Sequence, residues 1–315
     1  MRTPNRSTLA VGLALVAVAT VWQAAGTAII GALSTPAISA SLSFIAFISA
    51  ALFCAINALA LGRGPTLRAL LGDAASLRLI LTQNAMTAGV FVCFYFSLAF
   101  IPATAASVIE AGIGPLIAAV ATVRLTADGA WRRFVFPALT AAVATVIVVL
   151  SLSASERPAH ANGTGVLLAF CAGLCGVGVV LCSMKMVERG FTATDINATR
   201  FHGAWLVSGV AVLWGGVPTD LSGLPLLVIV GVTLGAAPLI ALQYGITRSR
   251  PLPTEVVMSS LPALVFIGES LITRRFDTNV ALWMLALLAC AILAVVAEQR
   301  HASRAAPTVS TGRRS

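Results

Sequence analysis

The sequence predicts an all-α integral membrane protein with ten transmembrane helices, arranged as two inverted-topology repeats of five helices. Three observations predict this class: the composition, the ten apolar segments and the distribution of positive charge. Of the 315 residues, 58% are hydrophobic and 10% are charged, whereas about a quarter of the residues in a soluble domain are charged. The bilayer is therefore expected to be the solvent for most of the chain.

Ten apolar segments are each long enough to cross the hydrocarbon core, which takes about 20 residues of helix. The spans are predicted at residues 9–31, 39–61, 79–100, 104–123, 134–153, 164–184, 193–214, 223–245, 254–273 and 279–297. The first segment is longer than the roughly 7–15-residue apolar region of a cleaved signal peptide. We therefore expect it to remain as a transmembrane helix.

Positive charge lies almost entirely on one side of these spans. With the N-terminus in the cytoplasm, 16 of the 20 Lys and Arg residues are cytoplasmic, Arg157, Arg274 and Arg275 are external, and Arg200 lies within a span. Because cytoplasmic loops retain positive residues, both termini are predicted to be cytoplasmic, in the inner membrane of a bacterium. The net charge of +9 is thus assigned to topology and to contact with anionic lipids, and no nucleic-acid partner is expected.

The two halves of the chain share a pattern around its two tyrosines. Tyr95 and Tyr244 are each followed by six residues and a proline, at the junction of two spans, and each next span contains a further proline. Residues 1–153 and 164–298 are therefore interpreted as two copies of a five-helix unit, joined by an external linker at 154–163. A disordered cytoplasmic tail is predicted at 299–315.

Five is an odd number, so the second copy enters the membrane with the opposite orientation. Inverted repeats of this kind are typical of secondary transporters, in which two similar halves exchange inward-open and outward-open shapes. The sequence therefore favours a transporter over a membrane scaffold.

Several other kinds of chemistry are not expected. The six cysteines lie within apolar spans, without the neighbouring ligands that a zinc site requires, and are interpreted as small buried side chains. The sequence contains no evident catalytic grouping of Ser, His and Asp and no Gly-rich phosphate loop. We therefore expect no enzyme activity, no metal and no cofactor, and an ion gradient or the solute's own gradient must supply the energy.

The chain resembles the EamA type of the drug/metabolite transporter superfamily over residues 10–298. The resemblance lies in the two halves, the Tyr…Pro corners and the proline in the fourth span of each half. Glu110 with Gly114-Pro115-Leu116 is similar to the Glu…Gly-Pro-Leu segment of bacterial threonine/homoserine exporters, and residues 252–264 are similar to its second-half counterpart. The pair Gly268-Glu269 matches one usual near the end of the fourth helix, although the first half has no clear match. The resemblance implies export of a small metabolite, such as an amino acid, by a monomer or homodimer.

Three charged residues within the spans are candidate functional residues, because burial of a charge in the membrane costs free energy and such residues are commonly functional. Glu110 is predicted to bind substrate and protons, with a structural hydrogen bond as the alternative. Glu269 is a second candidate for proton coupling, although an interfacial ion pair with Arg274 or Arg275 is the preferred interpretation. Arg200 is either a site for a substrate carboxylate or a structural anchor.

Neutral side chains complete the predicted substrate site: Trp22, Gln23, Tyr95, Gln243 and Tyr244. The expected function is proton-coupled export of a small metabolite across the inner membrane by alternating access. A drug or organic-acid carrier, a uniporter and an importer of the same fold remain open. A channel or a non-transporting scaffold is the alternative from another class.

Overall fold

The structure is a computed structural model, and it describes residues 6–122, 131–155, 158–215, 223–246, 248–249, 254 and 257–305. The first half contains α1 (Arg6–Leu33), α2 (Pro36–Ala60), α3 (Gly64–Gly72), α4 (Ala74–Ser97), α5 (Ala103–Thr122) and α6 (Trp131–Ser153). The second half contains α7 (Ala159–Glu188), α8 (Ala193–Arg200), α9 (His202–Gly215), α10 (Leu224–Val230), a π-helical segment (Gly231–Ala236), α11 (Ala237–Ile246), α12 (Leu261–Thr273) and α13 (Thr278–Ala305).

The described residues confirm an all-helical chain built for a membrane. Six helical stretches are long and apolar enough to cross a bilayer: Leu9–Leu33, Pro36–Ala60, Ala74–Ser97, Val135–Ser153, Ala159–Glu188 and Leu224–Ile246. Shorter apolar helices cover Ala103–Ile113, Leu261–Thr273 and Thr278–Ala294. The count of ten spans and the inverted repeat stay predictions at this point.

Three features of the helices differ from the predicted spans. The short helix α3 lies between the second and third spans and has no buried residue. The seventh span is divided at Phe201 into α8 and α9, and the eighth contains the π-helical segment. In addition, α13 continues to Ala305, seven residues into the predicted tail; residues 306–315 lie outside the described part.

Small residues let the helices approach closely, as is usual in membrane bundles. On the contact between α4 and α7, a Cβ atom added at Gly89 would lie 2.4 Å from Cys175 Sγ, and one added at Gly178 would lie 2.6 Å from Met86 Sδ. Further helix contacts join α1 to α11 and α12, α5 to α6 and α7, α2 to α8, α9 and the π-helical segment, and α6 to α13. The central buried cluster includes Phe47, Leu98, Ile101 and Phe201.

Candidate functional site

Three of the predicted site residues meet at one small cavity. Gln23 of α1, Tyr95 of α4 and Glu110 of α5 line it together with Thr27, Phe91, Phe94, Leu234, Gly235 and Leu239. Its water-accessible volume is about 20 Å³. A single water needs roughly 10–15 Å³ by this measure, so in this conformation the cavity can hold one water but no metabolite.

Glu110 is the acidic group of this cavity. It lines the cavity together with Tyr95. Within the described part of the chain, its carboxylate accepts no hydrogen bond and forms no ion pair. A carboxylate in such a place requires a proton, a water or a cationic ligand to offset the loss of bulk hydration.

The π-helical segment forms one wall of the cavity. A Cβ atom at Gly235 would lie 3.3 Å from the Tyr95 hydroxyl and 2.9 Å from Ala46 Cβ, and one at Gly26 would lie 2.6 Å from the Leu234 carbonyl oxygen. Glycine at both positions therefore lets α1, α2 and this segment converge on the cavity. π-helical turns within α-helices occur frequently at functional sites.

Arg200 lies at the interruption between α8 and α9. The interruption is bridged by Asn84 of α4, whose Oδ1 accepts a hydrogen bond from the Gly203 N–H at 2.8 Å. The Asn84 Nδ2 donates to the Thr199 carbonyl at 2.6 Å. Asn84 thus supplies hydrogen-bond partners for the Gly203 N–H and the Thr199 carbonyl. In a continuous helix these two backbone groups would bond within the helix.

The Arg200 guanidinium is only partly satisfied by the protein. Its Nη1 donates to Gln243 Oε1 at 3.3 Å, and its Cζ lies 4.9 Å from the centroid of the Phe201 ring. Its Nε is buried and has no hydrogen-bond acceptor among the described residues. The structure therefore brings Arg200 and Gln243 together, as the sequence analysis predicted for one site, but neither lines the Glu110 cavity.

An aromatic layer separates these two places. The ring of Phe47, which is fully buried, lies 6.1 Å from the ring of Phe201, 5.9 Å from that of Tyr95 and 4.9 Å from that of Phe91, measured between centroids. Phe201 belongs to the Arg200 side, whereas Phe91 and Tyr95 line the cavity. The residues predicted as one substrate site are thus divided into two polar groups.

The remaining predicted site residues lie elsewhere. Trp22 is 37% exposed on α1 and does not line the cavity. The Tyr244 hydroxyl accepts a hydrogen bond from Asn57 Nδ2 at 2.7 Å. Glu269 of α12 accepts hydrogen bonds from the backbone N–H groups of Ala103 at 3.1 Å and Thr104 at 2.8 Å. Its described partners are therefore the first amides of α5, where a negative charge is favourable.

Two ion pairs that the sequence analysis missed join distant segments at one end of the bundle. Arg63 contacts Asp195 through both carboxylate oxygens, with Nε 3.0 Å from Oδ1, and the Asp195 side chain is fully buried. The hydrogen bond to Asp195 raises the pKa of the Arg63 guanidinium above its ordinary value. Arg189 and Asp73 form an exposed pair at 3.4 Å. The partners are more than a hundred residues apart in the chain, so no local pattern identifies them.

Comparison with known proteins identifies a fold and no family. No family model matches the chain, and no curated protein matches it. A solved structure described only as the crystal structure of a protein superposes with a TM-score of 0.60 at 15% identity. The match covers 93% of this chain and 99% of that one. At this identity the likeness concerns the fold alone.

Proposed function

We propose that the protein is a secondary transporter of ten transmembrane helices in two inverted repeats, which exports a small metabolite such as an amino acid by proton-coupled alternating access. The observation that carries this proposal is Glu110, an acidic side chain at an internal cavity with no protein cation among its described neighbours. The resemblance to EamA-type transporters is part of the same proposal.

The pattern of helix contacts supports the inverted repeat. The proposed repeat pairs the helices of the two halves in chain order: α1 with α7, α2 with α8–α9, α4 with α10–α11, α5 with α12, and α6 with α13. The symmetry then relates each contact between the halves either to a second contact or to itself. The contact of α4 with α7 corresponds to that of α11 with α1, and α5 with α7 corresponds to α12 with α1. The contact of α4 with α9 corresponds to that of α2 with the π-helical segment. The contact of α2 with α9 and that of α6 with α13 each join two equivalent helices, so the symmetry leaves them unchanged.

Long-range polar contacts support the proposed topology, with both termini in the cytoplasm of a bacterial cell. Arg63 with Asp195, Arg189 with Asp73 and Asn57 with Tyr244 each join two groups assigned to the cytoplasmic side. Glu269 and the first turn of α5 are both assigned to the external side. No bond among these crosses from one assigned face to the other.

We infer that the same contacts close the transport pathway at its two ends. The Arg63–Asp195 pair ties the loop after α2 to α8 on the assigned cytoplasmic face. The Glu269 contact ties α12 to α5 on the external face. With both contacts formed, the cavity has room for only one water. Release of one contact at a time is the alternation that a carrier requires.

Proton coupling follows from competition at Glu110. A proton or the ammonium group of a solute can neutralise its carboxylate, and either one lowers the cost of its place in the membrane. Exchange of a bound solute for an external proton then drives export of the solute, because the proton moves inward down its own gradient.

A flux assay in proteoliposomes tests this proposal. A panel of amino acids, organic acids and drugs is screened with and without a pH gradient, and we expect saturable counterflow of at least one solute, with accumulation against its gradient when the pH gradient is present. Saturable flux without response to pH would make the protein a uniporter. Non-saturating ionic current would identify a channel, and the absence of any flux would favour a scaffold; each of these outcomes overturns the proposal.

A further inference from the structure

The transport proposal leaves the second polar group, around Arg200, without a ligand. A guanidinium has five N–H donors, and the described protein provides one hydrogen-bond acceptor for this one, Gln243 Oε1 on Nη1. The free side of the guanidinium is therefore the edge formed by Nε and Nη2. That edge matches the two oxygens of a carboxylate and binds them in a bidentate manner.

A second buried side chain without partners lies on the same side of α8. Asn197 is 3% exposed, and neither its Nδ2 nor its Oδ1 has a hydrogen-bond partner among the described residues. It precedes Arg200 by three residues, so the two side chains are neighbours on the helix surface. A buried amide without partners is destabilising, and a ligand at this place can offset that cost.

Among the described residues, Arg200 has no counter-charge. Within the described residues no carboxylate lies within ion-pair distance of its guanidinium, and the electrostatic neighbour that α2 provides is the thiol of Cys54. The nearest acid in sequence, Asp195, is bound to Arg63. Removal of an unpaired charge from water is costly, so an anionic ligand at this edge would be stabilising.

We propose that the Nε–Nη2 edge of Arg200, together with Asn197, is a binding site for the carboxylate group of the transported solute. This inference rests on the proposed function for the identity of the occupant. The site lies at the interrupted helix α8–α9, near the cytoplasmic side of the bundle in the proposed topology. The aromatic layer around Phe47 separates it from Glu110. Cargo is thus captured from the cytoplasm at Arg200 before it reaches Glu110, where it competes with a proton on the external side of the aromatic layer.

Binding of acetate to the full-length protein in lipid nanodiscs tests the site without any need for transport. We expect sodium acetate to raise the thermal unfolding midpoint more than sodium chloride at equal ionic strength, because a ligand that binds only the folded state stabilises it. Neutral acetamide is expected to have no effect. An equal shift with acetate and chloride would overturn the proposal, since it would show only a general response to salt.

Three variants localise the effect. Arg200→Lys keeps the positive charge but lacks the planar edge, so the apparent acetate affinity is expected to fall about tenfold or more, as for loss of a charged hydrogen bond. Asn197→Ala is expected to weaken acetate binding in a protein that keeps Arg200. Arg78→Gln, which removes one exposed charge, is the matched control and is expected to bind acetate as the unaltered protein does. Retention of full acetate affinity in Arg200→Lys and Asn197→Ala would overturn the site.

The transported solutes decide the identity of the occupant. We expect each solute identified in the flux panel to carry a carboxylate, and its carboxamide analogue to be transported poorly. Equal transport of acid and carboxamide would overturn this assignment while leaving the transport proposal intact. If no solute is transported, the proposed function fails, and the acetate titration still decides whether Arg200 binds carboxylates.

Discussion

Glu110 and Glu269 are both acidic residues of apolar helices, but their surroundings differ. Glu110 faces a cavity without a protein cation among the described residues, whereas Glu269 is held by two backbone N–H groups. Those two hydrogen bonds occupy both carboxylate oxygens of Glu269. We therefore propose proton exchange at Glu110 and a structural role for Glu269.

Substitution of Glu110 by Gln tests the first assignment. Gln retains the shape and much of the hydrogen-bonding capacity of Glu but cannot release a proton, so proton-driven accumulation of substrate is expected to be lost. Counterflow, which requires no net proton movement, is expected to survive. Flux in proteoliposomes with and without a pH gradient measures both quantities.

Glu188→Gln, at an exposed position near the end of α7, is the matched control and is expected to keep the response to the pH gradient. An unchanged response in Glu110→Gln would assign Glu110 a packing role and remove the main support for proton coupling.

Substitution of Glu269 by Ala tests the second assignment. The amides of Ala103 and Thr104 belong to buried residues and would lose their acceptor. The free energy of unfolding is therefore expected to fall by about 1–3 kcal/mol, as measured by denaturation in mixed detergent micelles. Glu188→Ala is expected to change it little, and coupling to protons is expected to persist in Glu269→Ala. Loss of coupling with unchanged stability would show that the roles of the two acids have been exchanged.

The sequence identifies the buried charges but not their partners. An acidic or basic residue in an apolar span is visible directly, which is why Glu110, Arg200 and Glu269 are predicted as candidates. The hydrogen bonds of Glu269, in contrast, reach amides about 165 residues away, and backbone amides carry no residue-type signal. The split of the predicted site likewise depends on Phe47, which is indistinguishable in sequence from any other apolar side chain of α2.

At the scale of elements, the irregular parts of the second half are concentrated beside the two polar groups. The α8–α9 interruption places Arg200, and the π-helical segment contributes Leu234 and Gly235 to the Glu110 cavity. Interrupted helices in transporters commonly form substrate and ion sites, because free backbone groups and side chains meet there. The interruption is not apparent from the apolar pattern of residues 193–214, since its stabilising side chain, Asn84, comes from another helix.

Substitution of Asn84 by Ala tests how that interruption is maintained. The change leaves the Gly203 N–H and the Thr199 carbonyl without their partner, at a cost of about 1–3 kcal/mol for each unsatisfied group. We expect a lower thermal unfolding midpoint in nanodiscs and weaker acetate binding at Arg200. Thr82→Ala, on an exposed face of α4 with a bond only to its own helix, is the control. Unchanged stability and acetate affinity in Asn84→Ala would show that Asn84 does not hold the interruption.

At the scale of the whole molecule, the apolar segments and the charge distribution predict the class of fold but not the packing of the helices. Span positions follow from hydropathy because backbone groups in lipid must be satisfied within a helix. Which helices touch depends on small residues such as Gly89 and Gly178, whose partners no single segment specifies. The surface helix α3 was missed because it is too short and too polar to register as a span.

Single cysteines at Ala99 and Arg248 test the alternation of the two halves, since each lies four residues beyond its repeat tyrosine and the two are assigned to opposite faces. The variants Ala99→Cys and Arg248→Cys are placed in a cysteine-free background and labelled with a membrane-impermeant maleimide from the external and the cytoplasmic side, respectively. A change in substrate or pH that raises the labelling rate at one position is expected to lower it at the other, because each conformer opens one face only. Arg78→Cys, at an exposed position outside both corners, is expected to label at a constant rate from the cytoplasmic side. A simultaneous rise at both positions would describe a pathway open at both ends, which is the behaviour of a channel and would overturn the carrier mechanism.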